Sequence, residues 1–183
     1  IVSRVMPSVV AVIGGGRGQS AAGSGVIISE SGLIMTAGHV TDAAGKELTI
    51  IFPDGRNVKG KSLGINRTRD AGLAQIIEDG KWPHVKIGDS TKARLGDWVV
   101  AMGHTGGYDM QRSPPIRLGR VLSLGGMGML GTDCTLVGGD SGGPLFNLEG
   151  EVIGIHSSIG DSLAENRHVP SAVFSKDWDR MLA

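Results

Sequence analysis

The sequence predicts an all-β fold, on three observations. Short apolar runs recur along the chain between turn signals, about ten to twelve of them. Glycine is abundant, with 31 residues among 183, which suits a fold rich in tight turns and bulges. No helical period separates one apolar run from the next. Together these observations favour a barrel or sandwich over an α/β sheet.

Six runs in the first half of the chain predict strands. The first of them ends at Gly14-Gly15-Gly16. Ser29-Glu30-Ser31-Gly32 predicts a hairpin turn, and Pro53-Asp54-Gly55 predicts a second tight turn. The six predicted strands are Ser8–Ile13, Gly25–Ser29, Gly32–Thr36, Glu47–Phe52, Asn57–Ile65 and Gly72–Ile77.

The second half continues the pattern after a polar connector, Gly88–Arg94, which we expect to link two β subdomains. Gly103–Pro115 and Gly125–Asp133 are glycine-rich and predict mobile surface loops. A short helix is expected at Ser175–Leu182, with Ser175 as its cap. The predicted strands are Asp97–Met102, Leu118–Leu124, Gly143–Asn147, Glu151–His156 and Val169–Phe174.

Composition excludes several classes of function. The 18 basic and 18 acidic residues balance, so no electrostatic footprint for nucleic acid is expected. No run reaches the roughly 18 to 20 apolar residues that span a bilayer, so no membrane insertion is expected. The single cysteine, Cys134, rules out an intrachain disulfide and is expected to be a small buried residue. No metal-ligand spacing occurs, and no metal or cofactor is expected. The chain starts at Ile1 without a signal-peptide pattern, as a mature form or a fragment would.

One segment stands out for its chemistry, Gly138-Gly139-Asp140-Ser141-Gly142-Gly143-Pro144-Leu145. A serine becomes a nucleophile when a base removes its proton, and attack on an amide creates an oxyanion that needs donors placed in advance. Glycines let the backbone turn its N–H groups inward. We therefore expect Ser141 to be a nucleophile and the N–H groups of Gly139 and Ser141 to form an oxyanion hole. An ordinary glycine-rich turn is the simpler interpretation.

Two further segments supply the partners that such a serine needs. His39 follows an apolar run, and an imidazole with a pKa near ~6.5 suits general-base catalysis. Asp70 begins an apolar stretch, where a half-buried carboxylate needs a partner such as a histidine N–H. Taken singly, His39 also suits a structural role, and Asp70 a turn paired with a neighbouring arginine. Together, in this chain order, they predict a triad of His39, Asp70 and Ser141.

Over nearly its whole length the chain resembles the chymotrypsin/trypsin clan, and most closely the HtrA (Deg) family of serine proteases. His39 and Asp70 are 31 residues apart, and Asp70 and Ser141 are 71 apart, which is similar to the short, disulfide-free spacing of that family. The resemblance implies two six-stranded antiparallel β-barrels, at about 1–87 and about 95–183, with the active site between them. A short C-terminal helix and no PDZ domain are expected. The segments that carry the resemblance are Ser3–Val12, Gly23–Val40, Gly103 with the loop after it, Ile116–Leu124 and Gly138–Gly154.

One residue departs from the family pattern. The family usually has asparagine where this chain has Asp140. Trypsins have aspartate there and pair it with a newly formed N-terminal amine. The chain begins Ile1-Val2, which is similar to activated trypsins, although Ser3-Arg4 replaces the expected glycines. An ion pair between Ile1 and Asp140 is therefore one hypothesis.

The resemblance also implies which side chains bind substrate. Thr135 stands where trypsins have the carboxylate that selects basic side chains, so no preference for Lys or Arg is expected. Ser157, Ser158 and Ile159 correspond to the edge strand that holds the substrate backbone. Because Ile159 would make the primary pocket shallow and apolar, cleavage after Val, Ala, Leu or Ile is expected.

His156 leaves an alternative open. It lies 15 residues after Ser141, where the chain resembles glutamyl endopeptidases, which use a histidine to bind an acidic side chain. Thr135 would assist such a role. The other interpretation is a strand histidine bonded to a neighbouring loop. His168 is expected to be structural, and His84 and His104 to be loop residues.

The leading hypothesis is a serine endopeptidase of protein quality control that cleaves unfolded or damaged polypeptides through an acyl-enzyme. A protease-fold chaperone or binding module with low activity is an alternative from another class. An esterase of the α/β-hydrolase fold is excluded, because that fold places its serine before its aspartate and histidine. The resemblance further implies a periplasmic or secreted location and a possible homotrimer.

Overall fold

The chain forms two closed antiparallel barrels of six strands each, followed by a C-terminal helix. The computed structural model describes residues 1–14, 22–126 and 128–183. This arrangement confirms the all-β fold class with two six-stranded barrels and one short helix. The predicted turn at Gly15 and Gly16 lies outside the described residues.

The first barrel has the strand order β1-β2-β3-β6-β5-β4. A one-turn helix, α1 (Val2–Val5), precedes it, and another, α2 (Gly38–Thr41), follows β3 directly. Its strands are β1 (Val9–Gly14), β2 (Ala22–Ile27), β3 (Leu33–Ala37), β4 (Glu47–Ile51), β5 (Asn57–Asn66) and β6 (Ala71–Ile76).

The second barrel has the strand order β10-β11-β12-β9-β8-β7. Residues 77–97 connect it to the first barrel and contain a 3-10 turn at Ser90–Lys92. The helix α3 (Ser171–Leu182) follows its last strand and packs against β5 and β6 of the first barrel. The strands are β7 (Trp98–Met102), β8 (Ile116–Gly126), β9 (Met129–Thr132), β10 (Pro144–Phe146), β11 (Val152–Ile159) and β12 (Asn166–Pro170).

Two patterns of burial explain how the strands hold the barrels together. On β4, Leu48 and Ile50 are buried while Thr49 is exposed, as expected of a strand with one wet face. On β7, by contrast, both faces are buried. Val99 and Ala101 belong to the core of the second barrel, while Val100 and Met102 join the large core shared with the first barrel. This double burial holds the two barrels against each other.

Two stretches differ from the sequence prediction. Val169–Phe174 was expected to be a strand, but β12 ends at Pro170 and α3 begins at Ser171 rather than Ser175. Val173 and Phe174 are buried residues of α3. An apolar run of this length is compatible with either a strand or a helix. Gly125–Asp133 was expected to be a loop, but β9 forms within it and pairs with both β8 and β12. Pairing with both strands supplies backbone hydrogen bonds, and these outweigh the low strand propensity of the glycines in this stretch.

Candidate active site

Asp70 is the residue on which the site converges. It ends the turn between β5 and β6 with φ of 58°, a left-handed conformation that aspartate tolerates better than most residues. Each carboxylate oxygen lies 2.9 Å from Nδ1 of His39. Oδ1 also accepts the backbone N–H of His39 at 2.9 Å, and Oδ2 accepts the hydroxyl of Ser157 at 2.6 Å. The carboxylate therefore orients the imidazole and also bonds to the second barrel.

His39 lies in α2, immediately after strand β3. The pairing of Ala37 with Ala71 brings the end of β3 beside the start of β6, and the Gly38 N–H donates to the carbonyl of Asp70 at 2.9 Å. The His39 side chain is 51% exposed. Its hydrogen bond to Asp70 raises the pKa of His39 above the ordinary value of 6.5, against the lowering effect of burial.

The Asp70 carboxylate stays ionised in this setting. Burial is the largest single influence and would raise its pKa, but the hydrogen bonds from His39 and Ser157 outweigh it, so the pKa is lowered overall. An ionised carboxylate holds Nδ1 of His39 protonated, which leaves Nε2 unprotonated and free to act as a base.

Ser141 lies in a tight turn that needs its glycines. Gly139 and Gly142 have φ of 92° and 88°, which only glycine adopts without strain. At Gly142 a Cβ atom would collide with the carbonyl of Ser24 and the hydroxyl of Thr36, both in the first barrel. The glycine-rich motif thus lets the turn press directly against strands β2 and β3.

Two backbone donors in this turn face no protein acceptor. Within the described ranges, the N–H groups of Gly139 and Ser141 make no hydrogen bond, although their neighbours do. The Asp140 N–H donates to Val137 O at 3.1 Å, and the Gly142 N–H donates to His156 O at 2.8 Å. Two unused backbone donors within one tight turn are what an oxyanion hole requires.

Ser24 connects this turn to the first barrel, a role that the sequence prediction missed. Its N–H donates to the carbonyl of Ser141 at 2.7 Å, and its hydroxyl donates to the carbonyl of Gly139 at 2.8 Å. The same hydroxyl accepts the N–H of His104 at 2.8 Å. In the described residues no hydrogen bond joins Ser141 directly to His39. The link from the turn to Asp70 runs through β11, where the carbonyl of His156 accepts the Gly142 N–H and the hydroxyl of Ser157 donates to Asp70. The signal in the sequence was a buried serine between two glycines, Gly23-Ser24-Gly25.

A shallow pocket of about 190 Å³ lies beside Ser141. Besides Ser141, its lining includes four of the five predicted substrate-binding residues, His156, Ser157, Ser158 and Ile159. Val137, which the sequence prediction did not include, also lines it. Ile159 is 57% exposed at the pocket edge. Thr135 does not line this pocket.

Comparison with known proteins identifies the family. A family model for the trypsin-like peptidase domain matches residues 23–155, a range that includes His39, Asp70 and Ser141. The chain belongs to this family. A probable periplasmic serine endoprotease DegP-like from Halomonas elongata is 39% identical over 140 residues, which are 75% of this chain and 29% of the relative. A probable periplasmic serine protease do/HhoA-like from Haemophilus influenzae is 34% identical over 189 residues, covering 92% of this chain and 38% of the relative.

This peptidase domain is also similar to solved structures of serine proteases. A serine endoprotease from Yersinia pestis superposes with a TM-score of 0.86 at 27% identity, covering 99% of this chain and 65% of that chain. The HtrA-type protease AlgW with a tripeptide superposes at 0.85 with 25% identity, covering 99% and 62%. These matches confirm the HtrA/Deg resemblance. The chain spans about a third of the length of these curated relatives, 29% of the first and 38% of the second.

Neither a membrane-spanning helix nor a metal-binding cluster occurs in the described residues. Across residues 1–14, 22–126 and 128–183, no helix is long and apolar enough to cross a membrane. The same residues contain no group of three or more His, Cys, Asp or Glu side chains placed to hold a metal ion.

His156, whose carbonyl accepts the Gly142 N–H, belongs to a buried chain of hydrogen bonds. Its Nε2 donates to the carbonyl of Met102 at 3.0 Å, so its Nδ1 accepts from Nδ1 of His168 at 2.9 Å. Nε2 of His168 then accepts the hydroxyl of Thr132 at 2.8 Å. That hydroxyl in turn accepts the N–H of Cys134 at 3.2 Å. Both imidazoles are thereby held neutral, with every ring nitrogen used. Cys134 is buried, and burial raises the pKa of its thiol.

Burial lowers the pKa of His156 to about 3 and that of His168 well below its ordinary 6.5. The unfolded chain binds a proton near 6.5 and the native state does not, so stability falls as pH falls below 6.5. From pH 7.5 to 5.0 we expect His156 alone to account for a loss of about 2 kcal/mol in unfolding free energy. In His156→Gln an amide can still donate to Met102 but does not titrate, so the pH-dependent loss should shrink by about that amount. Urea unfolding at both pH values measures this.

The matched control for this prediction is His84→Gln, at an exposed loop histidine whose side chain contacts only the carbonyl of Trp82. It should retain the full wild-type loss. Equal losses in wild type and His156→Gln would contradict the prediction.

Asp140 has a different partner from the one hypothesised. Its carboxylate forms an ion pair with Arg117 and accepts the hydroxyl of Thr105 at 2.7 Å. The hypothesis of an Ile1–Asp140 ion pair is wrong, because Arg117 projects from β8 into that position. Ile1 instead is the N-cap residue of α1, and its carbonyl accepts the N–H groups of Arg4 and Val5.

Proposed function

We propose that this trypsin-like peptidase domain is the catalytic part of a serine endopeptidase, with His39, Asp70 and Ser141 as its triad. The observation that carries the proposal is the Asp70 carboxylate. It accepts the ring N–H of His39 on one side and the hydroxyl of Ser157 on the other. The residue before Ser157, His156, accepts the Gly142 N–H through its carbonyl. One carboxylate thus connects the base in the first barrel with the nucleophile turn in the second.

The chemistry follows from this arrangement. Nε2 of His39 removes the hydroxyl proton of Ser141 as Oγ forms a bond to the carbonyl carbon of the substrate. The resulting oxyanion accepts hydrogen bonds from the unused N–H groups of Gly139 and Ser141. The C–N bond then breaks as His39 passes its proton to the leaving amine, which leaves an acyl-enzyme on Ser141. Water, deprotonated by His39, attacks the acyl carbon. The bond from that carbon to Oγ then breaks as His39 returns the proton to Ser141, which releases the carboxylic acid.

A fluorophosphonate probe tests this proposal, because it reacts covalently with an activated serine. Wild-type protein should be labelled on one residue, Ser141, and Ser141→Ala should not be labelled. A wild-type protein that stays unlabelled while it still binds unfolded polypeptides would instead support a protease-fold chaperone or binding module with low activity.

The pocket supports cleavage after small aliphatic residues. Ile159 and Val137 expose their side chains around a volume of about 190 Å³, which suits Val, Ala, Leu or Ile. His156 also lines this pocket, which keeps the glutamyl-type alternative open. Its ring nitrogens are already bonded to Met102 and His168, however, and neither is free to bind a carboxylate. Thr135 contributes its carbonyl to Arg117 and is not a lining residue.

A peptide library varied at the residue before the scissile bond measures this preference. We expect kcat/KM for Val or Ala to exceed that for Lys and Glu by at least about 100-fold, because an apolar pocket leaves a buried charge unpaired. Strong cleavage after Glu, abolished in His156→Gln while cleavage after Val persists, would overturn the aliphatic prediction and assign the glutamyl type.

The biological setting is proposed from the relatives. Proteins named periplasmic serine proteases match most of this chain, which supports a periplasmic location. Unfolded or damaged polypeptides are the proposed substrates, in protein quality control. The homotrimer implied by the family resemblance stays a prediction.

A further inference from the structure

Arg117 is a largely buried cation on β8, and each of its three guanidinium nitrogens donates a hydrogen bond. Its side chain is 19% exposed, while its ion-pair partner Asp140 is 1% exposed. Nε donates to the carbonyl of Thr135 at 3.0 Å. Nη1 donates to the hydroxyl of Thr105 at 3.3 Å and to the carbonyl of Pro115 at 3.2 Å. The guanidinium therefore contacts both the 103–115 loop and the 133–141 segment that leads to the nucleophile.

Asp140 links Arg117 to the backbone of the turn that contains Ser141. Besides Arg117, its carboxylate accepts the Thr105 hydroxyl at 2.7 Å and the Val137 N–H at 2.9 Å. Its own carbonyl accepts the Gly143 N–H at 2.8 Å. These bonds fix the backbone on both sides of Ser141, including the stretch that holds the Gly139 donor.

A buried carboxylate of this kind needs a cation. Removing an ionised group from water is costly unless a partner and hydrogen bonds compensate it. In the part of the chain that the structure describes, Arg117 is the one cationic group within ion-pair distance of Asp140. Gly103 leaves room for the arrangement, since a Cβ there would lie 2.7 Å from Oδ1 of Asp140.

We propose that Arg117 is a positioning residue that holds the Ser141 turn and its oxyanion donors in the catalytic arrangement. It takes the place that an N-terminal amine fills in trypsins, so the turn does not depend on a free amine at Ile1. The inference rests on the proposed serine endopeptidase function. Arg117 acts through Asp140 and does not touch the substrate.

The main test compares kinetics of four variants in the full chain. In Arg117→Met the cation is lost at similar side-chain length, and we expect kcat to fall by about 100-fold while KM changes by less than about 3-fold. That split is expected because oxyanion donors act mainly in the transition state. We expect kcat of Arg117→Lys to lie between the values for wild type and Arg117→Met. One ammonium group can pair with Asp140 but cannot donate to every oxygen that the guanidinium contacts.

The double variant Arg117→Met with Asp140→Asn isolates the ion pair. Removing the uncompensated carboxylate should restore kcat by about 10-fold over Arg117→Met, still below wild type. The control is Arg120→Met on the same strand, where an exposed guanidinium stacks 4.1 Å over the ring of Trp98. It should match wild type. If Arg117→Met fails to fold, the double variant, which buries no unpaired charge, carries the comparison.

A second measurement addresses the amine directly. A chain with extra residues before Ile1 should keep wild-type kcat, whereas a 10-fold loss would make the amine the partner that matters and overturn the inference. The inference is also overturned if the wild type is active and either Arg117→Met or the double variant has the same kcat as the wild type. If the wild type itself is neither labelled by fluorophosphonate nor active on peptides, the proposed function fails instead.

Discussion

Replacing Ser141 with alanine is expected to lower kcat by about a million-fold, to the residual rate that binding and the oxyanion donors alone provide. The loss is this large because the acyl-enzyme route disappears with the hydroxyl. Stability should change by less than about 0.5 kcal/mol. Oγ of Ser141 makes no hydrogen bond within the described residues, and the backbone carbonyl that accepts the Ser24 N–H is retained.

Peptide hydrolysis and thermal unfolding of the same preparations measure both effects. The control is Ser31→Ala, whose exposed hydroxyl contacts only that of Ser29 at 2.9 Å and which lies at the far end of β3 from His39. It should keep wild-type kinetics. Ser141→Ala with more than about a thousandth of wild-type kcat would show that another residue is the nucleophile.

Asp70→Asn is the second large effect, with kcat expected to fall by about ten-thousand-fold. An asparagine amide is neutral and carries an N–H donor, which can donate to Nδ1 of His39. The imidazole then takes the tautomer with its proton on Nε2, which can no longer act as a base. The fold should survive, because asparagine also tolerates the φ of 58° at this position.

The pH dependence gives this prediction a second readout. In the proposed mechanism the neutral form of His39 is the base, so kcat/KM should rise with pH through the pKa of His39. The hydrogen bond to Asp70 raises that pKa above 6.5. The midpoint of the wild-type profile should therefore lie above 6.5, and that of Asp70→Asn should lie lower. Profiles from pH 5 to 9 measure both.

Asp42→Asn is the matched control, since Asp42 also has a positive φ, of 62°, but is exposed and paired with Lys46. It should leave kcat and the profile unchanged. An Asp70→Asn profile with the wild-type midpoint would contradict the role given to the Asp70–His39 hydrogen bond.

Several elements were predictable because their signals are local. Pro53-Asp54-Gly55 forms the expected turn, in which the Gly55 N–H donates to Phe52 O at 2.9 Å. The alternation on β4 identifies one wet face and one dry face directly. The segment around Ser141 contains, within four residues, the proposed nucleophile and the glycines whose positive φ its turn requires. Each of these follows from neighbours in the chain.

The observed secondary structure differs from the prediction in segments whose conformation is set by contacts with residues distant in the chain. The apolar run at Val169–Phe174 is compatible with strand or helix, and only the first barrel, against which α3 packs, selects helix after Pro170. Glycine-rich Gly125–Asp133 lacks a strong strand signal, yet β9 forms there because β8 and β12 lie on either side of it. Local propensity is too weak to settle such segments alone.

The sequence by itself determined the all-β class, the chain order of His39, Asp70 and Ser141, and the glycines of the nucleophile turn. These depend on periodicity and on the conformational freedom of single residues. Tertiary structure alone decided which side chains meet: Asp70 with Ser157, Ser24 with the carbonyls of the Ser141 turn, and Asp140 with Arg117 rather than Ile1. Those partners are 87, 115 and 23 residues apart in the chain. Only the closure and docking of the two barrels bring them within hydrogen-bond distance.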